Sequence, residues 1–297
     1  MAVTRSAGLV LFSILVVVWI CGCGGGSSTV DTPVEGAGVV SPAATSDKIV
    51  FERGGDLFRM DADGTNSSRL TSTPQLELDP ALAPDGKRLA FTDASGVWVM
   101  NSDGTGRSQV TTQGGVSGVC WSPDGQSLAF GTCKTAVSPG LYVVHADGSD
   151  RRRLTQSCDE SPDWSHDGQY IVFSRAKRIY SLSAAGTDLK SLTPASRLDI
   201  AKEPVWAPNG QQIAFAGEWC NANYETVFLV NANGTGLRPV NARDLDARHP
   251  TWSPDGSRLA FYRYDERGLW VISSNGSGLR LLSGSRGHDH SPAWWTP

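Results

Sequence analysis

Histidines near the carboxyl end of the sequence could together bind a metal. His288 and His290 flank Asp289, and His249 lies earlier in the chain. Imidazoles are common metal ligands, and the carboxylate could add an oxygen ligand or orient a ring. Because a His-x-His pair on one loop more often faces water, we predict that the chain carries no metal and no cofactor.

No nucleophile motif accompanies these histidines. The Gly-x-Ser-x-Gly elbow of serine hydrolases is absent from the sequence. Gly24-Gly25-Gly26 does not stand between a strand and a helix, as a phosphate-binding loop does. We therefore predict a binding protein with no catalytic residues rather than an enzyme.

Charge and composition narrow the function classes further. Lys and Arg number 26 against 30 Asp and Glu, a net charge of −4, so the chain lacks the basic surface that nucleic-acid binding requires. With 33 glycines, 10 tryptophans and only 19% charged residues, the composition favours many short strands joined by tight turns.

The amino-terminal segment predicts export. Arg5 precedes an apolar run over residues 7–20, the length of a secretory signal rather than of a membrane-spanning helix. Ile20-Cys21-Gly22-Cys23 resembles a bacterial lipobox, in which Cys23 receives lipid. We predict a lipoprotein signal peptide over residues 1–22 and a location in the bacterial cell envelope, anchored to the membrane by acyl chains. The alternative is an ordinary signal peptide with incidental cysteines.

Residues 23–46 are rich in Gly, Ser, Thr and Pro and show no hydrophobic period, which predicts a flexible tether. The remainder, residues 47–297, is built from repeats. One position recurs as Leu82, Trp121, Trp164, Trp206, Trp252 and Trp294, at spacings of 39, 43, 42, 46 and 42 residues. A Pro-Asp-Gly-like turn follows most copies, and a second Asp-Gly or Asn-Gly turn completes the unit.

Each repeat holds four short apolar runs separated by turns, which is typical of a β-propeller blade. The first copy lacks the strand that carries the tryptophan, and residues 291–297 contain little else. The sequence therefore predicts an all-β fold, a six-bladed propeller of four-stranded antiparallel blades. The carboxyl-terminal strand would pair with the first blade and close the ring.

The positions at which the repeats differ indicate where function lies. In a propeller the innermost strands begin around the mouth of the central channel, and loops on a rigid scaffold commonly carry binding residues. The three positions before each blade's proline site form rings around this mouth. We predict binding contacts from five of their members: Asp79, Asp159, Glu203, His249 and His290. The alternative is a rim that only contacts water.

Export permits disulfides, and the four cysteines of the propeller allow three complete pairings. Cys120 occupies a position that other repeats fill with small residues, so we predict a buried thiol there. Cys133 follows the second strand of one blade, and Cys158 lies in the connection to the next. We favour a Cys133–Cys158 disulfide, with the other pairings open.

The repeats resemble the WD-repeat-like propeller units of the TolB family, with the motif PxWSPDGxxLAF…LYVxxxDGSxxRxLT. The match covers residues 47–297 and is most literal at residues 121–130, 141–155 and 250–261. The resemblance implies a six-bladed propeller in the cell envelope. TolB carries an amino-terminal α/β domain, which we do not expect between this tether and the first blade. TolB also lacks the lipobox that this sequence contains.

Our leading functional hypothesis is a non-enzymatic, lipid-anchored and monomeric envelope propeller that binds a protein or glycan partner at the channel mouth. The alternative is a metal-assisted polysaccharide lyase, or another carbohydrate-active envelope enzyme, that uses His249, His288 and His290. Some pectate-degrading lyases with TolB-like propellers hold a metal through histidines in this region.

Overall fold

A computed structural model describes residues 47–133, 138–194, 196–220, 222–240, 245–283 and 289–296. The predicted signal peptide, the tether and Cys23 lie outside these residues. The described part of the chain forms strands and turns without helices. None of it forms a helix long and apolar enough to cross a membrane.

Twenty-four strands form six four-stranded antiparallel sheets, the blades. Blade 1 contains β1 (Lys48–Arg53), β2 (Asp56–Asp61), β3 (Ser68–Arg69) and β24 (Asp289–Trp295). Blade 2 contains β4 (Leu78–Leu82), β5 (Arg88–Asp93), β6 (Gly96–Asn101) and β7 (Ser108–Gln109). Blade 3 contains β8 (Val116–Trp121), β9 (Ser127–Thr132), β10 (Gly140–His145) and β11 (Arg152–Arg153).

The second half of the molecule repeats this pattern. Blade 4 contains β12 (Asp159–Trp164), β13 (Tyr170–Arg175), β14 (Arg178–Ser183) and β15 (Lys190–Ser191). Blade 5 contains β16 (Leu198–Trp206), β17 (Gln212–Trp219), β18 (Thr226–Asn231) and β19 (Arg238–Pro239). Blade 6 contains β20 (Ala247–Trp252), β21 (Arg258–Arg263), β22 (Gly268–Ser273) and β23 (Arg280–Ser283). The six-bladed, all-β prediction is confirmed.

Blade 1 closes the ring with strands from both ends of the propeller. β24 pairs antiparallel with β1, with Trp294 opposite Ile49 and Asp289 opposite Arg53. The Arg53 guanidinium also binds the Asp289 carboxylate through two hydrogen bonds of 2.6 and 2.8 Å. The predicted closure is therefore confirmed, and it covers an edge of β1 that would otherwise be open to pairing.

The apolar core lies between neighbouring blades. The tryptophan of β20 packs with Leu229 of blade 5 and Phe261 of its own blade, and the same arrangement places Trp121 against Val99 of blade 2. Two of the indole N–H groups donate to the preceding blade, Trp121 to the Ala81 carbonyl at 3.0 Å and Trp252 to the Val205 carbonyl at 3.4 Å. Each blade thus depends on its neighbours for burial of its apolar faces.

The Asp-Gly turns are local structures, as the sequence predicts. In one of them, the Asp124 carboxylate accepts hydrogen bonds from the Ser122 hydroxyl and from the Gln126 backbone N–H. These two donors lower the pKa of Asp124 below its usual value. The Asp124 carboxylate therefore stabilises the geometry of its own turn.

Candidate functional site

Every innermost strand carries a bulge at the residue just before its proline position. The pairing register shifts there in each blade, so the side chain and the backbone N–H of this residue change direction. All six residues have left-handed φ values between 45° and 80°. We call this set the bulge ring: Asp79, Gly118, Ser161, Glu203, His249 and Ser291.

The bulge ring surrounds one end of the central channel. The channel has a volume of about 560 Å³, and its walls come from the six innermost strands, including all members of the ring. Neighbouring ring members lie close together, since a Cβ on Gly118 would fall 2.6 Å from the Ser161 Cα. A left-handed backbone costs a non-glycine residue about 1–2 kcal/mol, so five of the six positions hold a strained conformation.

Two carboxylates stand on opposite sides of the bulge ring, because Asp79 of blade 2 and Glu203 of blade 5 are three blades apart. Each carboxylate accepts the backbone N–H of the next ring member. Asp79 accepts from Gly118 at 3.1 Å, and Glu203 accepts from His249 at 2.7 Å. The repeat register alone predicted this grouping for Asp79, Glu203 and His249.

The histidines are held by separate contacts. His249 Nε2 lies 3.5 Å from Glu203 Oε1, and His249 Nδ1 lies 3.5 Å from the Ser291 hydroxyl. The His290 ring packs on Tyr262, with 4.1 Å between the ring centroids, and His290 is not among the channel-lining residues. His288 lies outside the described residues.

The structure places Asp159 away from the channel, which corrects the sequence expectation. This carboxylate is completely buried. It accepts hydrogen bonds of 2.6 and 2.8 Å from the Arg175 guanidinium and a further one from the Thr155 hydroxyl. The strand alternation explains the difference, because the residue two places before the ring points into the blade and not toward the mouth. Asp159 therefore forms an ion pair with Arg175 inside blade 4.

Sequence reasoning missed a channel residue, Asp163 of blade 4. It lies inside the channel, and its carboxylate accepts the Trp206 backbone N–H at 2.7 Å. Burial raises the pKa of Asp163 to about 7. A signal was present in the repeat, since the equivalent residues are Ala81, Cys120, Val205, Thr251 and Ala293.

The channel lining is acidic. Among its described residues are Asp79, Asp163 and Glu203, together with His166 and His249, and no Lys or Arg. Glu52 lies on β1, the strand that pairs with β24. Burial raises its pKa to about 7, and the nearby Asp79 carboxylate adds to the effect. The channel therefore favours neutral or cationic groups over anions.

Apolar and basic side chains flank the acidic mouth. Leu76 and Tyr264 are 65% and 57% exposed, and Leu78 directly precedes Asp79. The Arg248 guanidinium lies 5.1 Å from the centre of the Tyr264 ring, and its Nε is 3.2 Å from Glu225 Oε2. Exposed Leu, Tyr and Arg side chains around a pocket are characteristic of protein-binding surfaces.

The four cysteines that the structure describes form one disulfide, Cys133–Cys158, with 4.6 Å between the Cα atoms. It joins the segment after β9 to the connection that leads into blade 4. Cys120 is buried in the channel wall, as the sequence indicates, and burial raises the pKa of its thiol.

The chain matches the TolB beta propeller domain family over residues 47–297. It is 33% identical over 128 residues to a Protein TolB homolog of Chlorobium luteolum, covering 41% of this chain and 29% of that protein. It is also 33% identical over 115 residues to the Tol-Pal system protein TolB of Anaeromyxobacter dehalogenans, covering 37% and 26%. The chain thus spans less than a third of the length of these relatives.

Solved structures share the fold. TolB from Acinetobacter baumannii superposes with a TM-score of 0.73 at 22% identity, covering 85% of this chain and 67% of that one. An oligogalacturonate lyase from Vibrio parahaemolyticus superposes with a TM-score of 0.57 at 12% identity, covering 77% and 71%. The family match over the whole propeller decides the assignment: the chain belongs to the TolB β-propeller domain family.

Proposed function

We propose that this protein is a non-enzymatic, lipid-anchored module of the bacterial cell envelope that holds a partner protein at the mouth of its channel. The observation that carries the proposal is the bulge ring. Six left-handed backbone positions, five of them strained, converge on one opening, and carboxylates from opposite blades line it. Strain of this kind persists only where the surrounding fold imposes it, and it is concentrated at binding and catalytic sites.

The surroundings of the ring favour a protein over a glycan at this site. Leu76, Leu78 and Tyr264 offer exposed apolar area, and Arg248 adds a planar group that can bond to a carboxylate or a backbone carbonyl. A segment of the partner that enters the channel would meet carboxylates along its path, so a neutral or basic segment is the fitting ligand. Relatives described as Tol-Pal system proteins agree with a role in envelope protein assemblies.

The lyase alternative fits this channel less well. Uronic-acid polymers carry a carboxylate on each sugar, whereas the described channel lining contains Asp and Glu and no Lys or Arg. The cations beside the mouth, Lys202 and Arg248, are already paired with Glu203 and Glu225. His249 also points its two nitrogens at Glu203 and Ser291. Incubation of the purified protein with oligogalacturonate and divalent metal ions tests this alternative. Formation of unsaturated products, lost on His249→Ala, would replace the binding proposal.

Site-specific photo-crosslinking in cells tests the main proposal. A photoreactive residue in place of Ser291 lies in the bulge ring, and one in place of Asp255 lies in a turn at the other end of the innermost strands and serves as the matched control. We expect the position at Ser291 to capture one protein that the control position does not. Identical capture patterns from both positions would contradict the proposal.

Membrane attachment is tested separately. Cys23→Ser should release the protein into the soluble fraction, because the acyl chains are the anchor in this proposal. Cys21→Ser is the matched control, since it changes a cysteine of the same segment and should leave the protein in the membrane fraction. Retention of the Cys23→Ser protein in the membrane would contradict the lipid anchor.

A further inference from the structure

Blade 4 departs from the repeat at positions that meet on one surface. Ser181 in β14 stands where the other blades have Val99, Val143, Leu229, Val271 or Arg59. His166 stands where four other blades have a proline: Pro84, Pro123, Pro208 and Pro254. Both changes replace an apolar side chain with a polar one beside blade 5, so the packing between blades 4 and 5 is interrupted there.

A cleft of about 570 Å³ lies at this interface, between the turns that follow β12 and β16. Blade 4 contributes His166, Tyr170, Ser181 and Lys190, and blade 5 contributes Trp206 and the turn residues Asn209 and Asn233, among others. Because these turns follow the innermost strands, the cleft is at the opposite end of those strands from the bulge ring. It adjoins the other end of the channel, with which it shares His166 and Trp206, and it contains no member of the bulge ring.

At two other blade interfaces an arginine fills this position. Arg88 of blade 2 covers Trp121 of blade 3, with its guanidinium 4.6 Å from the indole, and donates to the Gly125 carbonyl at 2.7 Å. Arg258 of blade 6 covers Trp294 in the same way at 4.8 Å. In blade 4 this position is Tyr170, which is 40% exposed and lines the cleft together with Trp206.

The cleft contains a buried serine and a buried indole N–H that has no hydrogen-bond partner among the described residues. Ser181 is buried, with 7% of the residue exposed, and it lines the cleft. The unpartnered donor is the Trp206 indole N–H. The equivalent Trp294 indole is unpartnered as well, whereas the indoles of Trp121 and Trp252 donate to backbone carbonyls. Buried donors without partners are rare in folded proteins, and a ligand is one of the few explanations for them.

The charges on the cleft exclude strongly ionic ligands. The Lys190 ammonium is held by the Asn233 carbonyl at 2.8 Å, and an Asp167 oxygen accepts the Gln169 N–H within its turn. Asp188 accepts the Thr187 hydroxyl. One cation and two carboxylates therefore stand on the rim, each already engaged, and no charge of a single sign is concentrated in the cleft.

We propose that this cleft binds a neutral sugar ring of an envelope oligosaccharide. A pyranose has an apolar C–H face that fits against the exposed Tyr170 ring, and a rim of hydroxyls that can bond to Ser181, His166 and the asparagine amides. The volume of about 570 Å³ lies within the ~300–1,000 Å³ typical of small-ligand sites. This inference is independent of the partner at the channel mouth.

A glycan array of neutral hexose and N-acetylhexosamine oligomers, followed by calorimetric titration of the best binder, tests the proposal. Ser181→Val is the decisive variant, because it installs the residue of the sister blades and should fold at least as well as the native chain. It fills the cleft and removes a hydroxyl, so we expect the affinity to fall at least about tenfold. Tyr170→Ala should weaken binding as well, and Glu203→Gln, at the mouth, should leave it unchanged.

The absence of saturable binding to any oligosaccharide on the array would overturn the proposal. Equal affinity of the native chain and of Ser181→Val would overturn it too, since the sugar would then bind elsewhere. Peptides are the alternative ligand class. They are tested by selecting a displayed peptide library against the native chain and against Ser181→Val. A peptide that binds the native chain but not Ser181→Val, in the absence of sugar binding, would make the cleft a peptide site.

Discussion

Two sets of carboxylates stand two residues apart in the repeat and have opposite surroundings. Glu77, Asp159 and Asp289 are completely buried and bind Arg107, Arg175 and Arg53, respectively. Asp79, two residues after Glu77, occupies the bulge ring, lines the channel and accepts the Gly118 backbone N–H. Glu203 occupies the same position in blade 5. The first set stabilises the blades, and the second set gives the channel its charge.

The difference shows that residue type and position in the repeat together determine the role of a carboxylate. An acidic residue two places before the bulge ring forms an ion pair with an arginine, and the pair as a whole carries no net charge. An acid in the ring is turned by the bulge toward the channel, where backbone N–H groups hold it in place. A substitution in the first set should therefore affect stability, and one in the second set should affect binding.

The largest effect is expected from removing the closing strand. Deletion of residues 291–297 leaves Asp289 in the chain but removes Trp294 and most of the pairing with β1. Loss of one buried tryptophan alone costs about 3–5 kcal/mol, so the melting temperature should fall by at least about 10 °C. Calorimetry measures this change, and deletion of residues 27–46 is the control. An unchanged melting temperature would show that the ring does not depend on this strand.

A smaller loss is expected from breaking one internal ion pair. Asp159→Ala leaves the mostly buried Arg175 without its partner and should cost about 3–5 kcal/mol in the free energy of unfolding. Asp79→Asn, the matched change in the ring, should stay within about 0.5 kcal/mol because the amide oxygen can still accept the Gly118 N–H. Urea titrations of both variants distinguish the two sets. Equal losses would remove the distinction between them.

Asp163 adds a dependence on pH. Its pKa is about 7 in the folded protein, above its value in the unfolded chain, so the folded state binds the extra proton between about pH 4 and 7. Its contribution to stability is therefore complete below pH 4 and is lost as the pH rises through 7. We expect the melting temperature to fall from pH 5 to pH 8, and to fall less in Asp163→Asn. Parallel slopes for the two proteins would contradict this role of the channel carboxylate.

Much of the fold could be predicted from the sequence because the same pattern of strands and turns recurs along the chain. The tryptophan spacing and the Pro-Asp-Gly turns were sufficient to count the blades, and the incomplete first copy predicted the closure by β24. The grouping of Asp79, Glu203 and His249 followed from the same register. These predictions needed only the knowledge that equivalent positions in a repeat occupy equivalent places.

The features that the sequence did not provide depend on side-chain direction. The register placed Asp159 near the mouth, but the alternation of the strand turns it into the blade, where Arg175 binds it. Asp163 and Ser181 were visible as departures from the repeat, yet only the structure shows that they face a channel and a cleft. Departures from a repeat therefore indicate candidate sites, and packing decides what each of them can bind.

The smallest effect on stability should accompany the largest effect on function. Glu203→Gln combined with His249→Ala keeps the acceptor for the backbone N–H and should change the free energy of unfolding by no more than about 0.5 kcal/mol. The decisive measurement is the affinity of this double variant for the partner captured from Ser291, compared with that of Asp255→Asn, a turn variant at the other end. We expect a dissociation constant at least about tenfold weaker for the double variant only. Native affinity in the double variant would show that the bulge ring is a solvated rim and not the binding site.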